Sequence, residues 1–290
     1  MPDGAPPVVD TRLAERLVAD VVVPRFPEAA GLPLHVVDGG WDNLVVRVGA
    51  ELVLRLPIRP EAAVLVRHEA RWLAEAAAPL RVPVPVPLLV GGPTAYYPWP
   101  WIVTRWIDGI LVDDVDPGDR STLVEGLADA LAALHRPAPP GAPPNPFRGV
   151  DVAARDDVVR ARIAAWDGPA DELAAVWQAA LDAPRWEGPA VWLHGDPHPR
   201  NLLMDGSGLA GLLDFGDITA GDPASDLAAA WLCFGPADRA RFRARLDASG
   251  RYDAHVWTRA AGWAASFATG IAPGTPMERT VRHAVAQLTM

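Results

Sequence analysis

Lysine is absent from this chain: all 26 basic residues are arginine, set against 36 acidic residues and a formal net charge of −10. Any phosphate or carboxylate held by a basic residue is therefore held by a planar guanidinium fork and not by the point charge of an ammonium. The shortage of positive charge excludes nucleic acid and anionic membrane surfaces as main partners, because both require a basic footprint. Cysteine is nearly absent as well. The single Cys233 cannot close an intrachain disulfide, which excludes a disulfide-stapled secreted scaffold. Long apolar runs are missing too: Leu227 to Phe234 falls far short of the ~20 residues that a membrane span requires. The first ten residues are acidic and proline-rich, without the basic and apolar regions of a signal peptide. A cytoplasmic monomer is the expectation.

What is present is a chain of 290 residues, 50% hydrophobic and 21% charged, enough for one large or two medium domains and too apolar for wholesale disorder. Charge divides unevenly. Residues 1–108 carry twelve acidic and ten basic groups, whereas residues 109–290 carry 24 and 16, so the acidity is concentrated in the later part.

Secondary-structure signals change at the same place. An amphipathic helix around Thr11 to Val22 precedes three short β-branched runs, Leu34 to Asp38, Leu44 to Val48 and Glu51 to Leu56, bounded by Gly and Asn turns. This pattern predicts an antiparallel meander, with Leu52, Leu54 and Leu56 on one face of the third strand and Val53 and Arg55 on the other. A helix is expected over Glu61 to Ala77, with further strands near Pro87 to Val90 and Trp101 to Trp106. Beyond Gly109 the pattern is mostly helical, interrupted by strands at Val191 to Leu193 and Leu209 to Leu213. The expected fold class is α+β: a small antiparallel-sheet lobe over 1–108 followed by a larger, mostly helical lobe over 109–290.

The densest polar cluster is His194-Gly195-Asp196-Pro197-His198-Pro199-Arg200-Asn201, directly after the apolar strand Ala190 to Leu193. Asp214 follows, closing Leu212-Leu213 and opening Phe215-Gly216-Asp217. Two prolines and a glycine exclude a helix here, so tertiary contacts must fix the loop. Either motif alone is an ordinary turn use of Asp and Gly. Together, each just after an apolar strand, Asp196, Asn201 and Asp214 have the spacing of a phosphoryl-transfer site. One Asp orients the acceptor hydroxyl, while the Asn and the second Asp are hard oxygen ligands for Mg²⁺.

These motifs resemble those of the aminoglycoside phosphotransferase family, which has a protein-kinase-like two-lobed fold. The stretch Val191 to Leu232 carries most of the likeness: H-G-D-P-H-P-R-N, L-L-D-F-G-D and G-D-P-A-S-D-L. W-D-N, V-L-R-L-P and P-W-P-W extend it weakly into the first lobe. The H-G-D form, in place of the protein kinases' H-R-D, points to the branch acting on small molecules. The resemblance implies an O-phosphotransferase using ATP or GTP with Mg²⁺: Asp196 catalytic, Asn201 and Asp214 binding metal, and a nucleotide site in the first lobe.

In that lobe, Glu69 shares a helix side with Leu65, Trp72 and Ala76, and a carboxylate on an apolar stripe needs a partner. Arg55 is the candidate. The pair would reproduce the strand-cation and helix-Glu arrangement that places nucleotide phosphates in kinase-like folds. The family's pattern departs here in having Arg55 where lysine is usual, and in lacking G-x-G-x-x-G. The turn Gly39-Gly40-Trp41-Asp42-Asn43 would cover the phosphates, with Asn43 at its end, and the backbone from Arg105 through Ile107 to Gly109 would hold the base. Trp99, Trp101 and Trp106 are read as packing residues, and His194 as a buried scaffold group. Asp222 is read as a helix N-cap, and the arginines at 239, 241, 243 and 245 as a solvated helix face. For the acceptor, the acidity of the second lobe favours a polycationic aminoglycoside-type antibiotic. A macrolide, amino sugar, choline-like or fructosamine-like acceptor, or a catalytically silent nucleotide-binding relative, stays open.

Overall fold

The computed structural model describes residues 9–39 and 42–290, with the side chains of 38 and 39 excepted. The chain forms two compact units: residues up to Glu75 with Val84–Ile107, and Ala76–Pro83 with Asp108–Met290.

The first unit opens with α1 (Thr11–Leu17), whose N-terminus is capped by Asp10 accepting from the Leu13 N–H at 2.9 Å. A π-helical turn over Val18–Val22 continues it. Then come β1 (Leu34–Gly39), β2 (Asn43–Val48), β3 (Leu52–Pro57), α2 (Pro60–Ala76), β4 (Leu89–Gly91) and β5 (Trp101–Arg105). The five strands form an antiparallel sheet in the order β1-β2-β3-β5-β4. Period-two alternation decides its faces. Leu44, Val46 and Val48 of β2 and Leu52, Leu54 and Leu56 of β3 join Trp101, Val103, Ala14 and Leu17 in one core. Arg55 lies on the opposite face.

The phase expected for α2 needs correction. The buried positions are Ala62, Ala63, Val66, Glu69, Leu73 and Ala76, while Leu65 and Trp72 are half-buried. Apolar residues occupy both sides of the stripe, Leu65 beside Val66 and Trp72 beside Leu73, so periodicity alone fits either phase. The tryptophans at the strand ends pack as expected. Trp101 is buried and donates from Nε1 to the Gly92 carbonyl, and Arg47 stacks on Trp106 at 4.0 Å.

The second unit contains β6 (Ile110–Leu111), α3 (Leu123–Leu134), α4 (Asp156–Ala164), α5 (Ala170–Asp182), β7 (Val191–Leu193), β8 (Leu202–Asp205), β9 (Gly208–Leu212) and β10 (Thr219–Gly221). It closes with α6 (Ala224–Leu227), α7 (Ala229–Cys233), α8 (Pro236–Asp247), α9 (Val256–Gly270) and α10 (Glu278–Leu288). Only two strands were expected here. The structure adds β6, β8 and β10, building a three-stranded sheet β6-β8-β9 and a β7–β10 pair. Each added strand is two to four residues long and depends on a tertiary partner that sequence periodicity does not reveal.

Arg241 and Arg245 of α8 lie on an exposed face as expected, but they have partners there. Arg241 pairs with Glu125 and Asp238, and Arg245 with Asp129, at 2.5–2.9 Å; Arg239 and Arg243 lie over Trp231 and Trp257. Their carboxylates come mostly from α3, more than a hundred residues away in sequence. Cys233 is buried, and burial pushes its thiol up to about 12, so it stays protonated. Among the described residues no helix is long and apolar enough to cross a membrane.

Candidate active site

In the second unit the polar loop after β7 and the turn after β9 are locked against one another. The Leu213 N–H donates to the Asn201 carbonyl at 2.8 Å. The His194 ring contacts the Leu213 carbonyl through Nε2 at 2.9 Å and packs on Phe215 with ring centroids 4.3 Å apart. His194 is fully buried, which makes it a scaffold group. Gly195 has φ +92, and a Cβ there would meet the Asp217 carbonyl oxygen at 2.4 Å. Only glycine lets the two turns approach this closely.

Asp226, at the end of G-D-P-A-S-D, fixes the loop from behind. It is fully buried; Oδ2 accepts from the His194 N–H at 2.8 Å and Oδ1 from the Gly195 N–H at 2.9 Å, with His135 Nε2 at 3.2 Å. Asp222 caps as expected, accepting from the Ala224 N–H at 3.0 Å, but it also forms a buried ion pair with Arg259 at 2.7 Å. Burial raises its pKa, and the Arg259 guanidinium opposes that rise.

This scaffold brings Asp196, Asn201 and Asp214 onto two adjoining turns. The Nδ2 of Asn201 donates to the Asp196 carbonyl at 3.0 Å. Asp214 is the one non-glycine residue with positive φ among the described residues, at +54, and its Oδ1 accepts from the Gly216 N–H. Asp tolerates this left-handed conformation better than most residues, and such strain gathers at functional sites.

Asp196 has two basic side chains beside it, Arg148 Nη2 at 2.9 Å and His198 Nε2 at 3.3 Å. Burial alone would raise its pKa; Arg148 and His198 outweigh it and hold the carboxyl well below the usual range. Arg148 also faces Asp217 at 3.8 Å, and Asn145 donates to Asp217 at 2.8 Å. For Asp217 burial dominates, reinforced by the neighbouring Asp196, and its pKa rises. Arg148 and Asn145 escaped the sequence reading. They sit in the proline-rich loop before Gly149, about fifty residues from Asp196, and the available signal was a lone Asn-Pro-Phe-Arg-Gly turn.

The first-unit candidates stand as follows. Arg55 Nη1 donates to both oxygens of Glu69 at 2.7 Å; Glu69 is fully buried and Arg55 nearly so. Asn43 begins β2 and is buried, with no partner for Oδ1 among the described residues. Arg105 ends β5, exposed beside Glu51 at 3.5 Å, and Ile107 follows half-buried. Gly40 and Trp41, the centre of the expected phosphate-covering turn, lie outside the described residues.

Residues 34–263 match the model of the phosphotransferase enzyme family. The chain belongs to this family of phosphotransferases. It is 28% identical over 280 residues to the uncharacterised protein YcbJ of Bacillus subtilis, covering 86% of each chain. Among solved structures, it resembles the GDP complex of aminoglycoside 2′-phosphotransferase-IIIa at TM-score 0.70, with 16% identity over 96% of this chain and 97% of the other. A macrolide 2′-phosphotransferase from Brachybacterium faecium superposes with TM-score 0.63, at 23% identity over 93% and 97% of the two chains. These likenesses show the protein-kinase-like fold, with a sheet-rich first unit and a mostly helical second.

Proposed function

We propose that this phosphotransferase moves the γ-phosphoryl group of ATP or GTP to a hydroxyl of a small-molecule acceptor. The acceptor oxygen forms a bond to the γ-phosphorus as the bond to the β–γ bridging oxygen breaks. The nucleoside diphosphate leaves, and the hydroxyl proton passes to Asp196 late in the step and then to water. The observation that supports this reading is the interlock of the two turns that carry Asp196, Asn201 and Asp214.

The donor set fits Mg²⁺. Asn201 commits its Nδ2 to the Asp196 carbonyl, so its amide oxygen is the end available to a cation. Among the described residues no three His, Cys, Asp or Glu side chains converge on a metal-sized point. One Asp and one Asn, with the remaining positions left to water and phosphate oxygens, match the way magnesium keeps much of its hydration. The ion would supply charge compensation to the phosphates. In the first unit Arg55, positioned by Glu69, contacts the nucleotide phosphates, Asn43 supports the turn beside them, and the backbone from Arg105 to Ile107 takes the base.

Release of ADP or GDP against a panel of aminoglycosides, macrolides and amino sugars, with mass detection of the phosphorylated product, tests the reading. Nucleotide binding by Asp214→Ala should weaken much more in magnesium than in EDTA. Equal loss in both would make Asp214 structural, and turnover with no acceptor in the panel would leave only nucleotide binding.

A further inference from the structure

Residues 109–290 carry 24 acidic groups against 16 basic ones, yet Arg155 lies close enough to both Arg148 and Arg162 to be repelled by each. Arg148 belongs to the proline-rich loop, Arg155 directly precedes α4, and Arg162 stands seven residues further along that helix. Seven residues are close to two helical turns, which keeps Arg155 and Arg162 on one face. Burial lowers the Arg155 pKa, Arg162 and then Arg148 lower it further, and no carboxylate acts against them. The carboxylates nearest in sequence are committed elsewhere. Asp151 accepts from the Ala153 N–H at 3.0 Å, and Asp156 pairs with Arg160 at 2.7 Å and accepts from Trp177 at 2.8 Å.

Neither the Arg155 nor the Arg162 guanidinium has a hydrogen bond or ion pair among the described residues. Both side chains are nonetheless half-buried and held in place. Arg155 lies over the Phe147 ring at 5.1 Å, with its Nε enclosed and its two Nη atoms not. Arg162 lies against the end of α9, where a Cβ on Gly270 would come within 2.9 Å of its Nη1. Two neighbouring guanidiniums without a carboxylate repel until an anion shares them, and their planar forks match phosphate or carboxylate oxygens. Arg148 links the pair to the reaction centre, since it neighbours Arg155 and meets Asp196 at 2.9 Å.

Resting on the phosphotransferase reading above, we propose that Arg155 and Arg162 form an anion-binding site for a phosphate or carboxylate group on the acceptor whose hydroxyl lies at Asp196.

The test uses the full chain saturated with ADP, which fills the nucleotide site, at constant ionic strength made up with chloride. Inorganic phosphate and acetate are titrated separately by calorimetry, and at least one is expected to bind. Arg155→Gln and Arg162→Gln should each raise the Kd for that anion about tenfold. Without anion both variants should melt no lower than the parent, because a repulsion is relieved. Gly270→Ala pushes Arg162 aside while keeping its charge, and should weaken the anion too. Glycerol 3-phosphate and glycerate, hydroxyl compounds carrying the two anionic groups, should compete for the site, and neutral glycerol should not. No binding of either anion, or an unchanged Kd in all three variants, overturns the site. Binding of inorganic phosphate or acetate with no competition from the hydroxyl compounds makes it a site for a free anion and overturns the acceptor assignment. If competition is as expected but neither these compounds nor the antibiotic and amino-sugar panel releases ADP, the anion site stands and the transferase reading falls.

Discussion

Two arginine–carboxylate pairs of similar length occupy the two units in different surroundings. Arg55 and Glu69 meet at 2.7 Å with side chains 8% and 0% exposed, whereas Arg148 and Asp196 meet at 2.9 Å with side chains 26% and 23% exposed. The first pair is buried between a strand and a helix. The second lies at the edge of a cavity, with Asp217 and His198 as further neighbours. The contrast is therefore one of burial: the first pair is shielded from water, whereas the second shares its carboxylate and guanidinium with further neighbours.

The largest effect that sharpens this contrast is on rate. Asp196→Asn should lower kcat by ~10²–10⁴, with the melting temperature nearly unchanged, because Arg148 keeps Asp217 as a partner. Steady-state kinetics with calorimetric melting checks both, and full activity would remove Asp196 from the reaction.

Breaking the buried pair should instead cost stability. Glu69→Ala or Arg55→Ala is expected to lose ~3–5 kcal/mol, and the double mutant less than the sum. Urea denaturation of the four proteins measures the coupling. Additivity would mean that the two side chains act independently.

A smaller effect is in pH. Because the Asp196 pKa is depressed in the folded state, its charged form persists as pH falls through the ordinary carboxylate range and is lost only below it. This group should therefore leave kcat/KM flat over roughly pH 5–8. Arg148→Gln removes the dominant cation and leaves burial, which raises the pKa and moves the acid limb upward. A pH profile in which the limb stays put would show that Arg148 does not set the charge of Asp196.

The smallest effect is expected from Arg55→Lys, which keeps the charge and loses the fork. Activity should persist with a raised nucleotide KM. Loss of all turnover with the fold intact would mean that the fork itself is required.

Much of this contrast was legible before any coordinates. A carboxylate in the middle of an apolar helix stripe announces that it needs a partner, and Arg55 was within reach on the neighbouring strand. Asp196, Asn201 and Asp214 could be found because the two motifs that hold them each follow an apolar strand and lie at a distinctive spacing. What escaped depends on distant segments meeting. The buried oxygens of Asp226 receive backbone N–H groups that carry no residue signature. Arg148 comes from a loop whose prolines say only that it is not helical. The short strands β6, β8 and β10 exist because of their partners, and the phase of α2 turned on a choice between adjacent apolar residues.

The guanidinium at position 55 has a consequence for chemical probing. Reagents that tag nucleotide-binding kinases by acylating an amine beside the phosphates depend on a nucleophilic lysine, and a guanidinium that stays protonated at working pH does not answer to them. With no lysine anywhere in the chain, such a survey would pass over this phosphotransferase even while it held nucleotide. Its occupancy would have to be read by competition with a non-covalent ligand.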